Sequence, residues 1–218
     1  MNNTYCAPEV EMVRALHGDL LDQQFLHDSL SSWLLELAIR LYQQHQKKDS
    51  RVATQISNWF PPLLGKSSDE VLGYPFSLED ARLTIAREMG WKQWEEVAEQ
   101  GDAPFSTEFE SAVDALINGD DIQLKQLLGA HPQLTTQRSQ LGHGATLLHY
   151  AGSNGVETWR QVVPYNLPDL VELILQHGAD KRATASFYGG QFTPLALAET
   201  SAHPEDAGIR EELLNALK

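Results

Sequence analysis

The sequence predicts an all-α protein in two parts: a helical N-terminal domain, residues 1–104, packed on an array of repeated helix pairs, residues 105–218. Two observations predict this fold. In the first half, apolar residues recur at the three- and four-residue spacing of amphipathic helices. In the second half, a segment around Thr146 recurs with similar residue types around Thr193. Proline and glycine runs near residues 61–62, 73–75 and 101–104 separate the predicted elements.

Three helices are predicted before residue 61. The first begins at Pro8, because proline fits the first helical position and acidic residues follow it at the positive end of the helix dipole. The second is capped by Asp28 and carries a stripe of leucines. The third carries Val52 and Ile56 on one face and ends before Pro61. We expect these apolar stripes to form the core of a bundle rather than a docking groove.

Three segments of the second half are similar to parts of a known repeat. Residues 144–155 read GATLLHYAGSNG, which resembles the ankyrin signature G-x-T-P-L-H-x-A-A-x-x-G. Residues 169–180 read DLVELILQHGAD, which resembles the second ankyrin helix and its turn, and residues 190–198, GQFTPLALA, begin the next copy. The chain therefore resembles an ankyrin-repeat protein, and the resemblance implies a short solenoid of stacked helix pairs.

The physical chemistry of these residues agrees with the motif. Thr146 and Thr193 are placed where a hydroxyl caps a helix, and Gly178 where a helix ends in the left-handed conformation. In the ankyrin family, the histidine at the position of His149 ties down the turn of the repeat by hydrogen bonds. The resemblance implies that structural role here rather than a catalytic one.

The spacing of the repeats departs from the family. Thr146 and Thr193 are 47 residues apart, whereas an ankyrin repeat has about 33 residues. Most of the surplus is an insertion near residues 156–168, and about three more residues lengthen the hairpin segment at residues 181–190. Insertions of this kind in loops are tolerated at a small entropic cost.

The ends of the array are degenerate. Residues 109–128 predict a helix pair without the Thr-Pro-Leu-His box, and residues 209–217 predict a short helix with a polar face. About three repeats result, two of them caps. Because so short an array buries little core, we expect the N-terminal domain to pack on it as an extended cap.

Residues 77–94 carry a second resemblance. They read SLEDARLTIAREMGWKQW, which is similar to a helical pair found ahead of ankyrin repeats in bacterial proteins. Ser77 and Asp80 fit the start of a helix. Arg87 and Glu88 invite a catalytic interpretation, but we expect a surface or interdomain ion pair.

Composition excludes several classes of protein. Sixteen basic and thirty acidic residues give a net charge of −14, divided equally between the halves, which disfavours a nucleic-acid binder. Cys6 is the only cysteine, so neither an internal disulfide nor a cysteine-based zinc cluster is expected. Without an 18-residue apolar window or a secretion signal in residues 1–10, we expect a cytoplasmic protein without a membrane span.

Motifs of catalysis are not found in the sequence. The eight histidines do not show H-x-x-x-H or H-E-x-x-H spacing, and the chain has no phosphate loop, nucleophile elbow or dinucleotide fingerprint. We therefore expect no metal, no cofactor and no enzymatic activity.

These observations predict a non-catalytic protein–protein interaction module whose partner the sequence does not identify. Two alternatives stay open: an enzyme with a site at the junction of the domains, and an acidic decoy for basic or DNA-binding proteins. Trp, Tyr and Arg dominate binding hot spots. The candidate partner-binding residues lie in the hairpin, the insertion and the loop before Thr146: Phe187, Tyr188, Trp159, Arg160, Tyr165 and His143. The apolar residues of the insertion also favour internal packing, as the alternative to binding.

Overall fold

The computed structural model describes residues 4–22, 29–100 and 105–218. The chain divides into two compact units. The helical unit is Pro8–Phe105, and the repeat unit comprises residues 4–7 together with Ser106–Lys218. The sequence predicts residues 4–7 as part of the N-terminal domain. In the structure they belong to the repeat unit, because their strand pairs with a strand of the insertion.

The first element is the strand β1 (Thr4–Cys6), and helices follow it. Within the described residues of the helical unit they are α1 (Pro8–His17), α2 (Asp19–Asp22), α3 (Leu30–Gln46), α4 (Val52–Trp59), α5 (Ser68–Gly73), α6 (Leu78–Glu88) and α7 (Trp94–Glu99). Helix α3 is central and packs against α1, α4 and α6. Its leucine stripe is buried: Leu30, Leu34, Leu37 and Leu41.

Helix starts in this unit follow the predicted local chemistry. Helix α1 begins at Pro8, and α4 ends at Trp59 before the two prolines. Ser77 caps α6 in a reciprocal capping box: its hydroxyl accepts the Asp80 N–H at 3.1 Å, and the Asp80 carboxylate accepts the Ser77 N–H at 2.8 Å. Helix α3 is capped by Ser29, whereas the predicted cap, Asp28, lies outside the described residues.

The repeat unit continues the chain with seven helices and three strands. They are α8 (Thr107–Asn118), α9 (Asp121–Ala130), α10 (Leu147–Tyr150), β2 (Val162–Pro164), α11 (Leu167–Gln176), β3 (Ala185–Phe187), β4 (Gly190–Phe192), α12 (Pro194–Thr200), α13 (His203–Asp206) and α14 (Arg210–Leu217). Helix α11 thus already includes residues 167–168 of the predicted insertion. Gly178 follows α11 with a φ of 95°, as the sequence predicted.

Successive helices of the repeat unit pack as pairs. Helix α8 packs with α9, α10 with α11, and α12 with α14. Neighbouring pairs also touch through corresponding members, because α10 contacts α8 and α12 while α11 contacts α9 and α14. One apolar core, which includes Phe109, Leu148, Ile174 and Leu197, runs through the three pairs.

The fold is mostly helical, as predicted, and within the described ranges four short strands accompany the helices. Strands β1 and β2 pair antiparallel with Tyr5 opposite Val163, and β3 and β4 form a hairpin with Ser186 opposite Gln191. Periodicity did not predict these strands, because each is only three residues long. The helices of the described residues are all too short or too polar to cross a bilayer.

Gly152 sets how closely α10 approaches α12. A Cβ atom at this position would lie 2.7 Å from the Leu197 Cβ and 3.2 Å from the His149 carbonyl oxygen. Two carbon atoms that are not bonded to each other do not come within 2.7 Å in an unstrained core.

We predict that Gly152→Ala lowers the free energy of unfolding by about 1–3 kcal/mol, because the helices must separate to admit the methyl group. Chemical denaturation measures the change. Gly129→Ala in α9 is the control, since its Cβ would meet no atom within 4 Å, and alanine there should be neutral or stabilise by up to about 1 kcal/mol. Equal effects of the two variants would contradict the close approach.

Candidate functional site

The structure divides the six candidate partner-binding residues into two groups. Tyr165 and Tyr188 are 50% and 60% exposed. The other four are buried: His143, Trp159, Arg160 and Phe187. Phe187, a candidate for partner binding, therefore does not project from the hairpin. Its ring turns inward and stacks on His143, with the ring centroids 5.3 Å apart. The insertion packs internally, which was the alternative to binding.

Arg160 is buried at the centre of a group of polar side chains. The group, called here the Arg160 cluster, consists of Arg160, Glu110, Asp114, Glu157, Tyr150 and His143. Arg160 Nη1 lies 2.6 Å from Glu110 Oε2 and 3.1 Å from Glu157 Oε1, and Nη2 lies 3.2 Å from Asp114 Oδ1. The guanidinium is only 3% exposed, and the side chains of Glu110 and Glu157 are equally inaccessible. The cluster thus joins α8 to the insertion.

The two buried glutamates have opposite titration behaviour. Burial raises the pKa of Glu110, and the attraction of Arg160 offsets only part of that effect. Burial would also raise the pKa of Glu157, but the charge of Arg160 and a contact with His143 outweigh it and lower the pKa to about 2. Glu157 therefore stays ionised beside Arg160 at neutral pH.

Glu157 extends the cluster towards the hairpin. Its Oε1 accepts the Tyr150 hydroxyl at 3.3 Å, and its Oε2 lies 3.6 Å from His143 Nε2. The Nδ1 atom of His143 accepts the Ala145 N–H at 3.0 Å, which leaves the ring proton on Nε2, facing the carboxylate. The stacked ring of Phe187 then continues the contact into β3.

His149 occupies the structural position that the resemblance implied. Its Nδ1 accepts the Thr146 N–H at 3.1 Å and lies 2.8 Å from the Thr146 hydroxyl. Its Nε2 donates to the Phe192 carbonyl at 3.1 Å, which ties α10 to β4. In the neutral form of the ring, one nitrogen accepts a hydrogen bond and the other donates one. Burial is the main cause that lowers the pKa of His149 to about 4.

The helical unit contains a second buried polar group. Gln55 accepts a hydrogen bond from His17 Nε2 at 2.9 Å through Oε1 and donates through Nε2 to the Glu88 carboxylate. All three side chains are fully buried. Glu88 is therefore buried and does not form the surface ion pair, which was one of the two expected arrangements. Burial is also the main cause that lowers the pKa of His17 to about 4.

The hairpin ends in a turn of unusual composition. Tyr188 and Gly189 connect β3 to β4 with φ values of 51° and 79°. Positive φ at both positions is the pattern of a type I′ turn, which favours Asn and Gly. A tyrosine there costs about 1–2 kcal/mol in backbone strain. Its hydroxyl donates to Asn154 Oδ1 at 2.7 Å, and its ring meets the edge of Phe192.

Two members of the Arg160 cluster, Arg160 and His143, were candidates from the sequence, as partner-binding residues. The other members were not predicted. Glu110, Asp114 and Glu157 carried no motif, because residues that meet only in the folded chain have no characteristic spacing. The signal that could have indicated Glu110 is its place at the edge of the apolar face of α8, one residue after Phe109 and three before Val113.

No protein family, no curated protein and no solved structure matches this chain. The resemblance to ankyrin repeats therefore depends on the residues of the chain itself. Within residues 4–22, 29–100 and 105–218, His, Cys, Asp and Glu side chains do not group in a way that could hold a metal ion. The Arg160 cluster, in which the side chains of Arg160, Glu110 and Glu157 are enclosed by the fold, is suited to holding segments together.

We predict that Arg160→Met lowers the free energy of unfolding by about 3–5 kcal/mol, because Glu110 and Glu157 are left as buried carboxylates without their counter-charge. Denaturant titration measures it. Arg210→Met is the matched control, since its contact with Glu205 is exposed and should be worth under about 1 kcal/mol. Adding Glu157→Gln to Arg160→Met should restore part of the loss, and a strictly additive double variant would contradict the cluster.

A second prediction concerns the pH dependence of stability. Since the pKa of His149 is about 4 in the folded protein and 6.5 otherwise, the unfolded chain binds more protons between these pH values. Stability is therefore complete above pH 6.5 and falls as the pH decreases towards 4. His149→Ala should cost about 1–3 kcal/mol at pH 7 and reduce this pH slope. His17, whose pKa is also lowered to about 4, supplies the pH dependence of stability that remains in this variant. A slope unchanged by the substitution would contradict the assignment.

Proposed function

We propose that the chain is a non-catalytic protein-interaction module of ankyrin type, and that it engages its partner through the hairpin that carries Tyr188. Three features support the ankyrin assignment. The helices pack as three successive pairs. Thr193 caps α12 by accepting the Ala196 N–H at 3.2 Å. His149 links Thr146 to the carbonyl of Phe192, as the family's histidine does for its turn.

Tyr188 is the observation that carries the proposed binding role. It is a large aromatic side chain, 60% exposed, held at a backbone conformation that strains it. Asparagine or glycine would make the same turn without strain. Backbone strain is found preferentially at functional sites, and tyrosine is among the residues enriched in binding hot spots. Tyr188 therefore fits a surface selected for contact rather than for stability.

The buried candidates have a supporting part in this proposal. Phe187 and His143 anchor the hairpin from inside, and Arg160 with Trp159 fixes the insertion on the core. Their side chains are not accessible to a partner in the folded chain. Tyr165, half exposed in the insertion, is the second aromatic that a partner reaches.

We predict that Tyr188→Asn weakens capture of the native partner by at least tenfold while the melting temperature stays equal or rises. Asparagine accepts the positive φ, and the relief of this strain offsets the loss of the hydrogen bond to Asn154 and of the ring contact with Phe192. The measurement is affinity capture from cells that make the protein, with quantitative mass spectrometry of the bound proteins and a thermal melt of each variant.

Ile122→Asn is the control, because Ile122 is 67% exposed on α9 and lies outside the hairpin. It should leave the captured set unchanged. If Tyr188→Asn retains the same partner at the same level, the hairpin is not the binding surface. Phe187→Ala is unsuitable as a test, because it would remove a buried ring and destabilise the hairpin itself.

A further inference from the structure

Two segments of this acidic chain contain no acidic residue. Residues 122–156 and 181–198 contain four basic residues and no acidic one, whereas the rest of the chain carries twelve basic and thirty acidic residues. Dividing the chain into halves conceals this, since each half carries the same net charge. The asymmetry becomes important where the fold brings parts of the two segments together.

Hydrogen bonds to backbone carbonyls join the acid-free segments into one surface. Arg138 Nη1 donates to the carbonyls of Gly144 and Thr184, both at 2.8 Å. The Ser186 N–H donates to the His143 carbonyl at 2.9 Å. Residues 138–146 and 181–192 are therefore neighbours, and they are called here the hairpin face.

The exposed side chains of the hairpin face are basic, neutral polar or aromatic. They are Arg138, Arg182, Thr184, Ser186, Tyr188 and Gln191. Lys181 is half-buried beside them. Asp180 precedes the face in the sequence. Its carboxylate accepts the backbone N–H of Arg182 at 2.8 Å and so stabilises the turn that carries the Arg182 guanidinium.

We infer that the hairpin face docks a short acidic segment of a partner protein, with its carboxylates on Arg138 and Arg182 beside the ring of Tyr188. Guanidinium groups bind carboxylates with paired hydrogen bonds. The inference rests on the proposed function and names the chemistry of its partner. It is the opposite of the acidic-decoy alternative, because the contacting surface is the part of the chain that lacks acid.

The length of the segment follows from screening. At physiological ionic strength a charge is screened beyond about 8 Å, so a short acidic segment interacts with the hairpin face and little with the acidic remainder. A long polyanion such as a nucleic acid would extend over that remainder and be repelled. A partner protein of high positive charge would bind the remainder instead.

The experiment is an NMR titration of the ¹⁵N-labelled full chain with hexaglutamate. The backbone amide signals of residues 138–146 and 181–192 should shift, and those of the helical unit should stay in place. Hexalysine and a six-residue oligothymidylate are the comparison probes. Hexalysine should not shift the hairpin face, and the oligothymidylate should shift it less than hexaglutamate does.

The double variant Lys181→Gln/Arg182→Gln should weaken hexaglutamate binding about fivefold, because it removes the ion pair of Arg182 and the neighbouring positive charge of Lys181. Lys66→Gln/Lys92→Gln removes the same charge from exposed lysines of the helical unit and should leave the affinity unchanged. The inference is overturned if hexaglutamate shifts no signal of the face, if both double variants behave alike, or if either comparison probe binds the face as strongly.

Failure of this inference can be told apart from failure of the proposed function. If Tyr188→Asn abolishes capture of the native partner but hexaglutamate does not bind, the hairpin is a binding surface for a segment of other chemistry. If hexaglutamate binds the face while Tyr188→Asn leaves capture intact, the acidic docking site exists and the assignment of Tyr188 fails.

Discussion

The guanidinium of Arg160 is the constraint on which the irregular parts of the repeat unit depend. A buried charge without partners would cost several kcal/mol. The insertion therefore takes the position in which Arg160 contacts both Glu110 on α8 and Glu157 within the insertion. Glu157 in turn faces His143, and His143 stacks on Phe187 of the hairpin. One buried positive charge therefore determines the positions of the insertion, the loop before α10 and the base of the hairpin.

The parts of the fold that the sequence predicted are those decided by neighbours in the chain. A capping box needs two residues three positions apart, and a helix end needs a glycine or a proline at the next turn. Ser77 with Asp80, Pro8 and Gly178 all satisfy these local rules, and the structure places each as predicted. The apolar stripes of the helices also follow from neighbours in the chain, because a window of about a dozen residues shows their helical period.

The parts that were missed are decided by residues distant in the chain. Arg160 meets Glu110 across 50 residues, and no spacing rule relates them. Phe187 was a candidate binding residue because it lies in the hairpin, but its ring turns to the core, whereas the side chain of Tyr188 in the turn is exposed. Charge was also averaged over too long a window. The two acid-free segments are visible in the sequence itself when acidic residues are counted over shorter stretches.

The strain at Tyr188 and the buried cluster beneath it belong together. A strained turn persists only if the surrounding structure prevents it from relaxing. Here both strands of the hairpin are fixed: Phe187 is stacked on His143, and the carbonyl of Phe192 accepts the hydrogen bond of His149. With its ends held, the turn presents one tyrosine in one conformation. A side chain that is already ordered loses little conformational entropy on binding, so more of the contact energy is left for affinity. If Tyr188 contacts a partner as proposed, the buried histidines support that contact without touching the partner, because they hold the strands on either side of the turn.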